Sequence, residues 1–136
     1  ANRTGVYIVL GTHDRDGNPL YHTTFTFTPG EYEPIPHRKL VPTYTERLVW
    51  GRGDGSTLET VDTPWGVLGS LICWEHWMPL ARAAMHAKNE TIHIAQWPIA
   101  KDIHQVASRH YAFEGRCAVA AAGSTRPPEP ARQKGR

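Results

Sequence analysis

Residues 67–76, VLGSLICWEH, join a short apolar run to a cluster of large polar and aromatic side chains. The run is typical of a strand buried in a sheet, and it stops at Cys73. Pro79 follows where the first turn of a helix accepts proline, and the apolar side chains of residues 80–88 share one helical face. This stretch therefore predicts a buried strand, a turn at Cys73 and an amphipathic helix.

Strand and helix patterns alternate on either side of this stretch. Further strands are predicted at residues 6–10, 20–28, 58–63, 91–95 and 117–122, and a second amphipathic helix at residues 101–115. The continuous apolar run at residues 6–10 predicts a strand that is covered on both faces and paired as a hairpin with residues 20–28. Residues 31–55 show little periodicity and predict a long loop with one helical turn at residues 44–48. The alternation predicts an α/β fold.

The composition is that of a single ordinary domain. The chain has 136 residues, 40% of them hydrophobic, so it can form a core. Its net charge of +2 is too small and too dispersed to predict a nucleic acid or a membrane surface as partner, and no apolar run approaches the roughly 20 residues of a membrane span. Its two cysteines form no disulfide framework, so we expect a reduced, cytoplasmic protein.

Residues 124–136, STRPPEPARQKGR, include three prolines, four cations and no large apolar side chain. Such a segment buries too little apolar surface to offset the entropy that it would lose on ordering. We therefore predict a domain at residues 1–123 and a disordered tail at residues 124–136.

Cys73 is the residue in this sequence that most clearly suggests chemistry. Its position between a strand and a predicted helix start would aim backbone N–H groups at the sulfur, which favours the thiolate and lowers the pKa of the thiol. The same N–H groups can stabilise an anion that forms when the sulfur attacks a carbon. The alternative is a buried cysteine that packs as a small, inert hydrophobe. Residues 74–77 have large aromatic and ionisable side chains, which favours the catalytic alternative because such side chains are rare at a purely structural strand end.

The long loop contains two charged residues that could assist such a cysteine. Lys39 beside the sulfur would stabilise both the thiolate and an anion on the substrate, and Glu46 beside Lys39 could orient it or relay protons. The alternative is an exposed ion pair in a solvated loop, which contributes little. The glycines of residues 51–55 predict a turn-rich connector, because no strand-to-helix context surrounds them as in a phosphate loop.

Several motifs together resemble the nitrilase branch of the carbon–nitrogen hydrolase superfamily. They occur in matching order, at residues 37–43 (HRKLVPT), 46–47 (ER), 50–55 (WGRGDG), 71–76 (LICWEH), 95–98 (AQWP) and 108–115 (SRHYAFEG). The resemblance covers roughly residues 6–124. The resemblance is specific because several motifs occur in the order that the family shows.

This resemblance implies part of an α-β-β-α sandwich and a Glu-Lys-Cys triad with a second glutamate after the lysine. Cys73 would be the nucleophile, Lys39 the triad lysine and Glu46 the second glutamate. The Lys39 ammonium and the backbone N–H of Trp74 would polarise the developing anion. The implied reaction converts a small nitrile to a carboxylic acid and ammonia through a thioimidate and a thioester, without metal or organic cofactor. The resemblance also implies a homo-oligomer.

One element of the family pattern has no counterpart here. The general-base glutamate of the family lies on a strand well upstream of the lysine, whereas Glu31 and Glu33 lie in the loop just before Lys39. We therefore predict that the chain is a central fragment of a nitrilase. Alone it should be weak or inactive, because general-base assistance typically contributes about 10²–10⁴-fold.

Two tryptophans and several histidines leave further alternatives. Trp74 and Trp97 lie at strand ends on one side of the predicted sheet and could line an apolar substrate pocket, with core packing as the alternative. The spacing of His104 and His110 fits no usual zinc pattern, so we predict no metal site. The alternative functions are an amidase or a cyanide hydratase or dihydratase of the same superfamily, or a non-catalytic assembly piece.

Overall fold

The computed structural model describes residues 1–124, which begin with a three-stranded antiparallel sheet. Its strands, in spatial order, are β1 (Ile8–Arg15), β2 (Leu20–Phe27) and β3 (Ile35–Arg38). β1 and β2 pair along their whole lengths across a turn at residues 16–19. The predicted hairpin is therefore confirmed, although β1 begins later and runs longer than the apolar run at residues 6–10.

The second sheet has four strands and carries both helices. Its strands, in spatial order, are β4 (Val61–Thr63), β5 (Gly66–Ile72), β6 (Ile92–Trp97) and β7 (Ala118–Gly123). β4 is antiparallel to β5, whereas β5, β6 and β7 are parallel. Helix α1 (Pro79–His86) connects β5 to β6, and helix α2 (Asp102–Gly115) connects β6 to β7. Because parallel strands end at one edge of a sheet, the residues that follow β5 and β6 lie near each other.

The core lies between the second sheet and the helices. Leu71 of β5, Met85 of α1 and Tyr111 of α2 are fully buried and pack in one cluster. The first sheet lies on the other face, where the Thr24 hydroxyl of β2 donates to Gln96 Oε1 of β6 over 2.7 Å. The described residues thus supply two sheets and one helical layer of an α-β-β-α sandwich, as predicted.

Two features of the first sheet differ from the predictions. The predicted loop contains β3, a four-residue strand that pairs with β2 alone. Pro36 lacks an N–H to donate, which a strand with a free edge tolerates. The prediction that residues 6–10 are covered on both faces is wrong. Val6, which precedes β1, and Leu10 within it are about half exposed, because β1 is the outer strand of its sheet and the described residues leave much of it uncovered.

Three further findings concern single segments of the chain. No helix in residues 1–124 is both long enough and apolar enough to pass through a lipid bilayer. The predicted one-turn helix is confirmed as a 3₁₀ turn at Tyr44–Leu48. The predicted tail lies outside the described residues, except for Ser124.

Candidate active site

Cys73 lies in a strained turn directly after β5. Its φ of 54° is in the left-handed region, which residues with a Cβ rarely adopt. Cys73 opens a 3₁₀ turn that runs to Trp77, and α1 begins only at Pro79. The predicted helix start at Cys73 is thus a separate tight turn, which ends at Met78, where the backbone is extended as is typical of the residue before a proline. Such strain is typical of residues that are held in place for function.

Lys39, just after β3, is buried and forms an ion pair with Glu46, whose side chain is partly exposed. Lys39 Nζ lies 2.6 Å from Glu46 Oε2 and 3.1 Å from the Thr43 hydroxyl oxygen, and the lysine side chain is 1% exposed. The Gly53 N–H donates to the Lys39 carbonyl oxygen over 2.8 Å. A Cβ at Gly53 would collide with the Arg38 carbonyl oxygen, so a glycine allows this close approach. The alternative of a solvated ion pair does not hold.

The sulfur and the ion pair meet at one cavity. Cys73, Lys39 and Glu46 all line a space of about 460 Å³. Trp97 also lines it, whereas the Trp74 side chain does not and is 47% exposed. The structure therefore brings four of the five predicted site residues together and leaves the Trp74 side chain outside.

Glu75 joins the two segments that carry the site, and the sequence reasoning did not assign it a role. Its fully buried carboxylate accepts from the His37 ring at 2.9 Å, from the Leu40 N–H at 2.8 Å and from the Ile72 N–H at 2.7 Å. His37 and Leu40 flank Lys39, and Ile72 precedes Cys73. One carboxylate therefore sets the position of the lysine relative to the cysteine. The sequence feature that could have indicated this linking role is a glutamate that lies so close to the end of a buried strand.

Electrostatics at the cavity differ from the simple expectation for Cys73. Burial raises the pKa of the Cys73 thiol above its ordinary value, and the Lys39 charge and the Trp74 N–H offset this only in part. The prediction of a lowered thiol pKa is therefore wrong, since it counted the backbone N–H groups and not the loss of water. For Glu46, burial would raise the pKa, but hydrogen bonds from Lys39 and the Thr43 N–H hold it below its ordinary value.

Two histidines that the sequence reasoning did not single out also line the cavity. His22 and His13 lie with their Nδ1 atoms 3.1 Å apart, and His22 Nε2 lies 3.7 Å from Glu46 Oε2. Burial is the main cause that lowers the pKa of His22, so its ring favours the neutral state. Neither Glu31 nor Glu33 lines the cavity.

The histidines of the helical half have contacts within the protein. His93 hydrogen-bonds within the core, and His104 stacks on Trp97 with ring centroids 4.5 Å apart. Across residues 1–124, no three His, Cys, Asp or Glu side chains are grouped as a metal site would require.

Comparison with known proteins relates this site to one family. The family model described as carbon–nitrogen hydrolase matches residues 1–134. An aliphatic nitrilase of Sinorhizobium fredii is 48% identical over 122 residues, which are 90% of this chain and 39% of that protein. A bifunctional nitrilase/nitrile hydratase of Nicotiana tabacum is 44% identical over 122 residues, which are 90% of this chain and 35% of that protein. The chain thus spans little more than a third of these relatives.

The fold agrees with this relationship. The crystal structure of Nit3 from Saccharomyces cerevisiae, a member of branch 10 of the nitrilase superfamily, superimposes with a TM-score of 0.80 at 19% identity. The match covers 96% of this chain and 50% of that one. The resemblance read from the motifs is therefore confirmed, and the chain belongs to the carbon–nitrogen hydrolase family.

Proposed function

We propose that this chain supplies the nucleophile, the lysine and one glutamate of a thiol enzyme that hydrolyses nitriles to carboxylic acids and ammonia. The observation that carries the proposal is the shared cavity, where strained Cys73 meets the buried Lys39 and its partner Glu46. The relatives named as nitrilases support the choice of a nitrile as substrate.

The reaction needs two water molecules and returns the cysteine to its starting state. Cys73 Sγ bonds to the nitrile carbon while one π pair moves to nitrogen, which takes a proton and leaves a thioimidate. Lys39 Nζ and the Trp74 N–H stabilise the charge that develops on this nitrogen. Water then adds to the carbon, ammonia leaves, and a thioester remains. A second water displaces the sulfur and releases the acid.

The thiol proton needs an acceptor. The raised pKa of Cys73 keeps the sulfur protonated at neutral pH, and Glu46 is a weak base because Lys39 and the Thr43 N–H stabilise its charge. Glu46 is the only carboxylate among the described residues that line the cavity. We therefore expect residues 1–136 alone to turn over nitriles slowly or not at all, and the protein expressed from its complete reading frame to be faster.

The cavity suits a small organic nitrile. Its lining includes Val9, Ile72, Trp97 and Pro98 beside the catalytic groups, so an uncharged organic group finds apolar contacts there. A homo-oligomer and a cytoplasmic location remain predictions, which size-exclusion chromatography and cell fractionation would test.

A second outcome deserves a measurement of its own, because the tobacco relative is named for both nitrilase and nitrile hydratase activity. The tetrahedral adduct formed when water adds to the thioimidate can expel sulfur instead of ammonia. The product is then an amide. The ratio of amide to acid would show which group leaves faster.

The test is covalent trapping on the protein expressed from its complete reading frame, with residues 1–136 in parallel. After an acid quench in the presence of an aliphatic nitrile, peptide mass spectrometry should find the substrate-derived adduct on Cys73 and not on Cys117. Ammonia release should vanish in Cys73→Ala and persist in Cys117→Ala. Ammonia release that survives in Cys73→Ala would refute the proposal. If the complete protein forms no adduct and releases no ammonia, a non-catalytic assembly role is favoured.

A further inference from the structure

A line of four buried polar side chains runs from the backbone of Cys73 into the core. His76 Nδ1 lies 2.7 Å from the Cys73 carbonyl oxygen, and His76 Nε2 lies 2.9 Å from His93 Nε2. His93 Nδ1 lies 2.6 Å from Glu90 Oε1, and the Tyr111 hydroxyl donates to the other Glu90 oxygen. All four side chains are at most 3% exposed and none lines the cavity, so the proposed reaction does not touch them.

The partners determine where the protons lie along this line. A carbonyl oxygen only accepts hydrogen bonds, so His76 Nδ1 carries the proton that it shares with Cys73. Burial first, and the neighbouring His93 second, lower the pKa of His76 to about 3, so its ring is neutral at pH 7 and its Nε2 accepts. His93 Nε2 therefore donates to His76, while His93 Nδ1 lies against Glu90. The His76 tautomer that binds the Cys73 carbonyl is thus the one whose Nε2 accepts from His93.

The Cys73 carbonyl and the Trp74 N–H belong to the same peptide plane. That peptide is trans, so a contact that fixes the direction of the C=O also fixes the N–H, which points the opposite way. The Trp74 N–H favours the ionised Cys73 sulfur by lowering the pKa of the thiol, and it is one of the two donors of the proposed reaction. The left-handed φ of Cys73 makes such an anchor necessary, because strained backbone persists only where its surroundings hold it.

We infer that His76 is a positioning residue for the nucleophile. Its Nδ1–H holds the Cys73–Trp74 peptide so that the Trp74 N–H faces the reacting atoms, and a donating His93 Nε2 fits the tautomer that this requires. The inference rests on the proposed function, because only a reaction at Cys73 gives this N–H a catalytic task.

Two amide substitutions separate this role from simple packing. The side-chain nitrogen of His76→Asn is as far from the backbone as Nδ1 and can donate to the Cys73 carbonyl. The side-chain nitrogen of His76→Gln is one bond farther from the backbone, like Nε2 of the histidine, and it faces His93 instead of the Cys73 carbonyl. In the complete protein we expect His76→Gln to lower kcat by about 10²–10³-fold with little change in KM, as the loss of one donor to a developing anion does. His76→Asn should stay within about tenfold of the wild-type kcat.

Thermal unfolding of both variants shows whether they fold. If both variants fold, a His76→Asn with the same kcat as His76→Gln would overturn the inference.

A measurement on the wild-type protein avoids any folding defect. The ¹⁵N chemical shifts of the histidine rings should show His76 neutral and protonated at Nδ1 at pH 7. A proton on Nε2, or an imidazolium, would overturn the inference without reference to activity. Trapping at Cys73 in the same preparation keeps the two proposals distinct. A wild-type protein that forms no adduct counts against the proposed function, while the ring shifts still decide the tautomer.

Discussion

Acidification should destabilise this protein through the buried ring of His76. Burial lowers the pKa of His76 to about 3 in the folded state, whereas the unfolded chain binds the proton near 6.5. Between these two values the unfolded state holds more protons, so the stability contributed by the neutral ring is complete above pH 6.5 and falls as the pH drops. At about 1.4 kcal/mol for each pH unit, the loss reaches about 3 kcal/mol at pH 4.5.

Urea unfolding at pH 7.5 and pH 4.5 measures this loss, with His76→Asn as the matched control. The asparagine can bond to the same carbonyl but takes up no proton, so other titrating groups affect both proteins alike. The wild-type protein should lose about 3 kcal/mol more than the variant between the two pH values. Equal losses would show that His76 is not held neutral in the folded state, and the reasoning from its burial would fail.

Three further changes have expected outcomes. Lys39→Met removes the cation that lowers the pKa of the Cys73 thiol, so Cys73 should react more slowly with iodoacetamide at pH 8. Glu75→Gln removes the carboxylate that accepts three buried hydrogen bonds and should lower the free energy of unfolding by about 1.5–3 kcal/mol, measured in urea. Leu71→Ala should cost about 2–5 kcal/mol in the same assay, because Leu71 is fully buried.

Matched controls exist for each of these changes. Cys117, whose pKa burial raises to about 11, should react slowly with iodoacetamide in both the wild type and Lys39→Met. Glu59→Gln breaks the exposed pair with Lys88, and Leu48→Ala truncates an exposed leucine, so each should change stability by less than about 1 kcal/mol. Alkylation at an unchanged rate in Lys39→Met, or surface controls as damaging as the buried changes, would contradict the predictions.

Local patterns predicted the second sheet well. The apolar run before Cys73 and the helix after Pro79 depend on burial and on proline chemistry, which are readable within ten residues. β3 was missed because four residues with a proline carry little strand signal, and their pairing with β2 depends on partners far along the chain. The exposure of β1 was missed for a related reason, since an apolar run does not show what covers it.

The candidate site was likewise predicted only in part. The position of Cys73 at a strand end predicted it as a nucleophile. Lys39 and Glu46 were assigned roles by the family resemblance, because a lysine in a loop is usually solvated. The raised pKa of Cys73 follows from tertiary burial, which the local N–H argument ignored. The sequence did not show that Glu75 links two segments, since two of its three partners, His37 and Leu40, lie far from it along the chain.

The Glu75 carboxylate also has a dynamic consequence. The amides of Leu40 and Ile72 belong to different segments, yet both donate to this one side chain. Neither segment can swing away without releasing the carboxylate that holds the other. The ammonium and the sulfur should therefore fluctuate as one unit, and deuterium should enter both amides in a single opening event.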